Sequence, residues 1–448
     1  MSESARTIRL GAGAGFSGDR IDPAVELAEK GDLDYLVFEC LAERTIALAQ
    51  LARLDDPNAG YDPLLEQRLR AVLPACVANG VTIVTNMGAA NPIAAARRSA
   101  EVADALGFKG LRIAAVLGDD VTAHLRTGNY RFMEDGREAA SLGNRVVSAN
   151  AYLGAGPIVQ ALAGRADIVI TGRVADPSLF LAPLIHEFGW HENDWGRLSC
   201  GILAGHLLEC AGQITGGYFA DPGYKDIPDL ARLGFPIGIV SADGALTITK
   251  VFGSGGRVSA ATCKEQLLYE IGDPASYLQP DAIADFSNVR VEELRPDHVA
   301  VSGARGKPRP DTLKVSIGYR DGFIGEGQIS YAGPGAAQRG ELARAILRER
   351  FARRARDFED LRIDLIGVDA LHGPRPGALE PYEVRLRAAA RSFSREAAEA
   401  VGHEVEALYT NGPAGGGGAG KSVRPVIAVG SILMDRALIE PRIEFFEV

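Results

Sequence analysis

Thr7-Ile-Arg-Leu-Gly-Ala-Gly-Ala-Gly-Phe-Ser-Gly-Asp-Arg20 decides how the rest of the chain is read. A short apolar run stops at Gly11, and Gly13, Gly15 and Gly18 follow at once. Pro23 then opens an amphipathic segment around Val25, Leu27 and Ala28, which ends near Gly31. Tyr35-Leu-Val-Phe38 is a second apolar run, closed by Glu39. The order is strand, glycine loop, helix, strand, with an acid at the tip of the second strand. Bare backbone N–H groups at a helix N-terminus favour a phosphate or carboxylate. An anion site is therefore expected at Gly13, Gly15, Ser17 and Gly18.

The same alternation continues outward from this stretch. Val81-Thr-Ile-Val-Thr85 ends in Asn86-Met-Gly-Ala-Ala-Asn-Pro92, and residues 111–117 form another apolar run tipped by Gly118-Asp-Asp120. Residues 145–148 lead to Asn150, and Ala166-Asp-Ile-Val-Ile-Thr171 runs into Gly172-Arg-Val-Ala-Asp-Pro177. Six apolar runs thus alternate with helical patterns. Continuous rather than alternating apolar strands indicate a parallel sheet covered on both faces. The expected fold is α/β, doubly wound, with a TIM-like barrel as the alternative. In either, ligands sit outside the carboxyl ends of the strands. That rule selects Ser17, Asp19, Arg20, Glu39, Asn86, Gly88, Asn91, Asn150, Gly172, Arg173 and Asp176. Beyond Gly217, Pro and Gly become frequent and short alternating runs suggest antiparallel strands. A boundary is expected near residue 218, between an α/β domain (1–217) and an α+β domain (218–448).

With 48 basic and 58 acidic residues, the chain carries a net charge of −10 and no large Lys/Arg cluster, which argues against nucleic acid as a partner. No run of eighteen apolar residues is present and the first residues lack a signal-peptide core, so a cytoplasmic protein with no membrane partner is expected. Cys40, Cys76, Cys200, Cys210 and Cys263 are scattered, without a CxxC pair, which disfavours disulfides and a zinc ribbon.

Three glycine strings invite nucleotide readings. Gly13-Ala-Gly-Phe-Ser-Gly18 matches G-x-G-x-x-G, with Glu39 at a suitable distance, but the turn before Pro23 is too long for a dinucleotide fingerprint, so NAD is disfavoured. Gly415-Gly-Gly-Gly-Ala-Gly-Lys-Ser422 spells a Walker A string, yet Pro425 and a β-like run follow where a helix is needed, which disfavours ATP. Gly253-Ser-Gly-Gly-Arg257 precedes a helix capped by Ser259, so Gly255, Gly256 and Arg257 are candidates for holding a phosphate, against a plain turn plus cap. His206 and Glu209 share a helical face with Cys210, which makes them alternative metal ligands. Asp19, Glu39, Glu43 and Asp176 are the candidates for general acid–base work. Arg20 and Arg173 are the candidate carboxylate clamps, unless Arg173 and Asp176 simply pair with each other.

Several segments resemble the acyclic terpene utilisation (AtuA) family: Gly11-Ala-Gly-Ala-Gly-Phe-Ser-Gly-Asp-Arg20, Thr85-Asn-Met-Gly-Ala-Ala-Asn-Pro92, Ala166-Asp-Ile-Val-Ile-Thr-Gly-Arg-Val-Ala-Asp176, Cys200-Gly-Ile-Leu-Ala-Gly-His-Leu-Leu-Glu-Cys210 and Gly412-Pro-Ala-Gly-Gly-Gly-Gly418. Residues 171–190 are the most specific part. The resemblance implies a bacterial catabolic role in degrading citronellol- and geraniol-type terpenoids through coenzyme A thioesters, with coenzyme A as substrate carrier. It also implies that many relatives carry a further C-terminal ferredoxin-fold domain. Since this sequence stops at Val448, a separate small ferredoxin-fold subunit is the expected partner, beside a small anionic substrate; a homo-oligomer is compatible. The resulting expectation is a hydratase, dehydratase or lyase acting on a branched acyl-CoA or carboxylate. The alternatives are a metal-dependent hydrolase using His206 and Glu209, and a non-catalytic binding or scaffold subunit.

Overall fold

The computed structural model describes residues 6–373 and 380–448. Its first elements are β1 (Thr7–Ala14), α1 (Asp22–Lys30), β2 (Tyr35–Phe38), α2 (Glu43–Asp55), α3 (Leu65–Asn79), β3 (Thr82–Thr85), α4 (Pro92–Ala105), β4 (Arg112–Leu117), α5 (Thr122–Thr127), β5 (Val146–Ala151), α6 (Gly156–Ala163) and β6 (Ile168–Thr171). Then come α7 (Asp176–Phe188), α8 (Trp195–Leu208), β7 (Pro236–Ser241), β8 (Leu246–Lys250), α9 (Ala260–Leu268), β9 (Tyr277–Leu278), β10 (Ile283–Asp285), β11 (Arg290–Arg295), β12 (His298–Ser302) and β13 (Arg305–Lys307). The last are β14 (Thr312–Ala332), α10 (Ala336–Ala352), β15 (Asp360–Ile366), β16 (Glu383–Ser392), α11 (Arg395–Glu406), α12 (Leu408–Asn411), β17 (Gly417–Asp435) and β18 (Arg442–Glu447).

β2 and β6 are buried at every residue. Successive strand side chains point to opposite faces, so both faces of these strands are covered. β1, β2, β3, β6 and β4 lie side by side in that order, all parallel. One of the six apolar runs departs from expectation: β5 stays outside this sheet and pairs with β14. The sheet instead continues antiparallel from β1 through β7, β8, β12 and β11. The four residues between β7 and β8 can close only an antiparallel pair, whereas the helical connections earlier in the chain allow parallel ones. At the other end β18 closes antiparallel on β4. The ten-stranded sheet is open, with β11 and β18 at its edges, and not a closed barrel.

The register aligns the carboxyl ends. Ala14 pairs with Phe38, Phe38 with Thr85, and Val116 with Thr171. Gly15, Glu39, Asn86, Gly118 and Gly172 therefore follow along one edge of the sheet.

Compact units fall elsewhere than the change of character near residue 218. One comprises the chain to Gly318 together with Val429–Val448; the other is Tyr319–Ala428. β7, β8, β11 and β12 belong with the first unit because they extend the same sheet as β1. In the second unit the order β14-α10-β15-β16-α11-β17, with strands arranged β15-β16-β14-β17, is the ferredoxin-like arrangement. Ile329, Tyr331, Leu347, Phe351, Leu386, Val401 and Val405 form its core. An arrangement of the kind expected on a separate subunit is thus present within the chain. The Walker-like string runs into β17 from Gly417 onward, so no helix begins at Ser422 to receive a phosphate. Among the described residues no helix is long and apolar enough to cross a membrane.

Candidate active site

The glycine loop is folded around charges of the chain itself. Gly13 lies inside β1, where an added Cβ would come 2.6 Å from the Phe38 ring. Gly15 N–H donates to Asp19 Oδ2 at 2.9 Å, and Arg20 N–H donates to Asp19 Oδ1 at 2.9 Å. Arg68, fully buried on α3, donates through Nη2 to the Phe16 and Ser17 carbonyls at 3.3 and 2.8 Å and faces Asp62 at 3.3 Å. Of the cradle expected at Gly13, Gly15, Ser17 and Gly18, the Gly15 N–H is already taken by the carboxylate of Asp19.

Beside the loop, within the first unit, opens a cavity of about 910 Å³. Gly15, Asp19, Arg20, Glu39, Arg173 and Asp176 reach it from the ends of β1, β2 and β6. All four acid–base candidates anticipated from strand tips (Asp19, Glu39, Glu43 and Asp176) line it, together with both arginines. Glu39 Oε1 accepts from Leu41 N–H at 2.8 Å and from Asn86 Nδ2 at 2.9 Å, while Asn86 Oδ1 accepts from Cys40 N–H at 2.7 Å. Burial pushes the Glu39 carboxyl well above the usual range, and the neighbouring Asp176 charge pushes it further. Arg173 is 1% exposed, with its guanidinium bound to the Leu41 and Val174 carbonyls and to Asp176. It also stacks 4.5 Å over the Tyr152 ring. Its donors are directed to the protein, so Arg173 fixes Asp176 and does not serve as a free carboxylate clamp. Burial raises the Asp176 carboxyl too, but the direct Arg173 ion pair opposes this.

A further carboxyl, Glu209, lies at the C-terminal cap of α8. Glu209 Oε1 lies 3.0 Å from His206 Nδ1, and His206 Nε2 lies 3.2 Å from the Leu267 carbonyl. A carbonyl only accepts, so Nε2 carries a proton, and the short Nδ1–Oε1 contact requires a second one between them. Burial drives the imidazole down to about 4 and the Glu209 carboxyl well up, with the Asp176 and Glu270 charges adding to the latter. Both shifts favour the second proton on Glu209, whose buried Oε2 has no hydrogen-bond partner among the described residues. Both ring nitrogens of His206 make hydrogen bonds within the protein. Among the described residues no group of three His, Cys, Asp or Glu side chains is placed to hold a metal ion.

The sequence model of the acyclic terpene utilisation family protein AtuA matches residues 8–445 of the 448. The chain belongs to the AtuA family. No curated protein and no solved structure matches it significantly.

The other expected ligand residues of this AtuA-family chain hold its architecture. Asn86 stands behind Glu39 and orients it. Asn91 caps α4 through Ala94 N–H and donates to the Pro57 and Ala59 carbonyls at 2.9 and 2.7 Å. Asn150 Nδ2 donates to Asp119 Oδ2 at 2.9 Å, and Gly172 leaves room for that same carboxylate, which would lie 2.7 Å from an added Cβ. Gly88 passes within 2.5 Å, measured from its ideal Cβ, of the Thr171 carbonyl. None of these residues lines the cavity, because the polar groups just past the strands are spent on fastening neighbouring tips together. The loop before α9 is likewise closed on itself: the Gly255, Gly256 and Arg257 N–H groups donate to the Arg232, Pro228 and Thr215 carbonyls. Ser259 caps α9 as expected.

Glu270, Tyr152, Tyr277 and Lys314 complete the cavity wall and were not anticipated. They arrive from loops and from β5, β9 and β14 neighbourhoods, where no strand-tip rule applies. One local sign accompanies them: Tyr218 and Glu270, both on the wall, have positive φ angles of 60° and 59°. Such backbone strain in non-glycine residues concentrates at functional sites.

Proposed function

We propose that this AtuA-family chain is a catabolic enzyme that moves protons on a branched or terpenoid-derived carboxylate or its coenzyme A thioester, with a hydratase, dehydratase or lyase outcome. The observation that carries this reading is the pairing, in one cavity, of a buried carboxyl pushed well above the usual range (Glu39) with a carboxylate held by a buried arginine (Asp176). Carboxyls whose environments push them apart supply an acid and a base at one pH. A thioester acidifies its α-carbon. Asp176 takes the α-proton, Glu39 gives its own proton to a departing β-hydroxyl, the hydroxyl leaves as water, and the carbon–carbon double bond forms. Hydration is the reverse. Glu39 Oε1 receives both described hydrogen bonds, which leaves Oε2 for the ligand.

The walls suit a hydrocarbon chain. Phe16, Met133, Tyr218, Leu230, Leu278 and Leu433 are exposed large apolar side chains, and all six line this cavity. Arg20 is the cation left for a substrate carboxylate, since its described side-chain bonds use only Nη1, to the Leu230 and Ala231 carbonyls.

The test is exchange of α-hydrogens for deuterium in branched-chain acyl-CoA substrates incubated in heavy water, read by mass spectrometry. Asp176→Asn is expected to reduce exchange by about a hundredfold or more with the fold intact by circular dichroism, and Glu39→Gln to spare exchange while stopping water addition or loss. Unchanged exchange and turnover in both variants would refute the assignment.

A further inference from the structure

The first unit contains a second cavity of about 1180 Å³, walled by Phe219, Tyr224, Arg257, Lys264 and Lys225 among others. Its four acids are already engaged. Asp226 accepts from Gly223 N–H at 2.8 Å, Asp297 from Val258 N–H at 2.9 Å, and Glu293 from Ala260 N–H at 3.2 Å, while Glu265 binds Lys225 at 2.5 Å. Arg257 and Lys264, by contrast, have no ion pair or side-chain hydrogen bond among the described residues. Two uncommitted cations thus face a hollow in a chain whose net charge is −10. Beside them Tyr224 is 82% exposed and offers an open aromatic face. Tyr269 belongs to the walls of both cavities, which are therefore neighbours.

We propose that this second cavity is a subsite for a phosphorylated aromatic handle, of which a nucleoside diphosphate is the simplest, carried by a ligand whose reacting end lies in the first cavity. Arg257 and Lys264 pair with the phosphates and Tyr224 stacks on the ring. The backbone N–H groups of the glycine loop take no part, being bound internally. The subsite deepens the acid–base reading and rests on it for the position of the reacting end, but its test needs no turnover.

Isothermal titration of the full chain with adenosine diphosphate, inorganic pyrophosphate and adenosine separates the contributions. Saturable binding of adenosine diphosphate is expected, weakened about tenfold by Arg257→Gln or Lys264→Gln and by added salt, with adenosine alone much weaker. Both residues are exposed and free of partners, so the variants are expected to melt as the wild type does. Failure of adenosine diphosphate to saturate at millimolar concentration, or unchanged affinity in the double variant, overturns the subsite. Pyrophosphate binding as tightly as adenosine diphosphate, with no effect of Tyr224→Ala, overturns the aromatic half. In either case the hydrogen-exchange assay on the first cavity is untouched, so the two readings fail separately.

Discussion

Replacing His206 by Gln isolates the proton shared with Glu209. His206 is 1% exposed, packed against the rings of Tyr277 and Phe286 at 5.4 and 6.0 Å, and burial lowers its imidazole from 6.5 to about 4. The folded value of this base is depressed, so the unfolded chain takes up the proton first as the solution is acidified. The associated stability is therefore fully present above about pH 6.5 and is lost as pH falls toward 4. At ~1.36 kcal/mol per pH unit, the whole window corresponds to about 3.4 kcal/mol, of which about 2.5 kcal/mol is gone by about pH 4.5. The stability advantage of wild type over His206→Gln, measured by urea unfolding, is expected to shrink by that amount between about pH 7 and about pH 4.5. Ring-labelled histidine NMR gives the direct reading: the signal lost in His206→Gln should stay in its neutral form down to about pH 5. A midpoint near the ordinary histidine value, or a constant advantage across the window, would show that Glu209 is ionised and that the proton lies elsewhere.

Two further outcomes follow from packing. An alanine at Gly205 would place Cβ 2.6 Å from the Pro177 α-carbon and carbonyl oxygen, forcing α8 away from the start of α7. Gly205→Ala should cost about 1–3 kcal/mol in thermal unfolding and, by separating Asp176 from Glu209, should lower turnover more than it raises KM; an unchanged melt would refute the contact. Arg68→Met removes the guanidinium that holds the Phe16 and Ser17 carbonyls and leaves Asp62, 4% exposed, without its cation. A loss of about 3–5 kcal/mol is expected, with faster proteolysis in the loop at residues 15–20, and wild-type resistance would count against the bracing role.

The position of Glu39 was legible because an apolar run that stops at an acid reads as a buried strand reaching its end, and that of Asp176 because it lies just past the end of such a run. The open sheet was legible in part: five apolar runs make the parallel array, but β5 pairs with β14, more than a hundred residues away, and spacing says nothing about such a partner. The same limit applies near residue 218, since β7 and β8 look like a new style of chain, yet β7 hydrogen-bonds onto β1 and β8 onto β7.

Side-chain commitments were hidden for a related reason. Spacing of i, i+3 puts His206 and Glu209 on one helical face, but Leu267 consumes the remaining ring nitrogen from 61 positions away. Glycines at 13, 15 and 18 expose backbone N–H groups in principle, while only the folded loop shows Asp19 turning back to bind Gly15. Local order, helix caps and the tips of strands depend on residues a few places apart, so composition and period determine them. Which donors remain free for a ligand depends on every acceptor that the tertiary structure brings within about 3 Å, and that decision is made by folding alone.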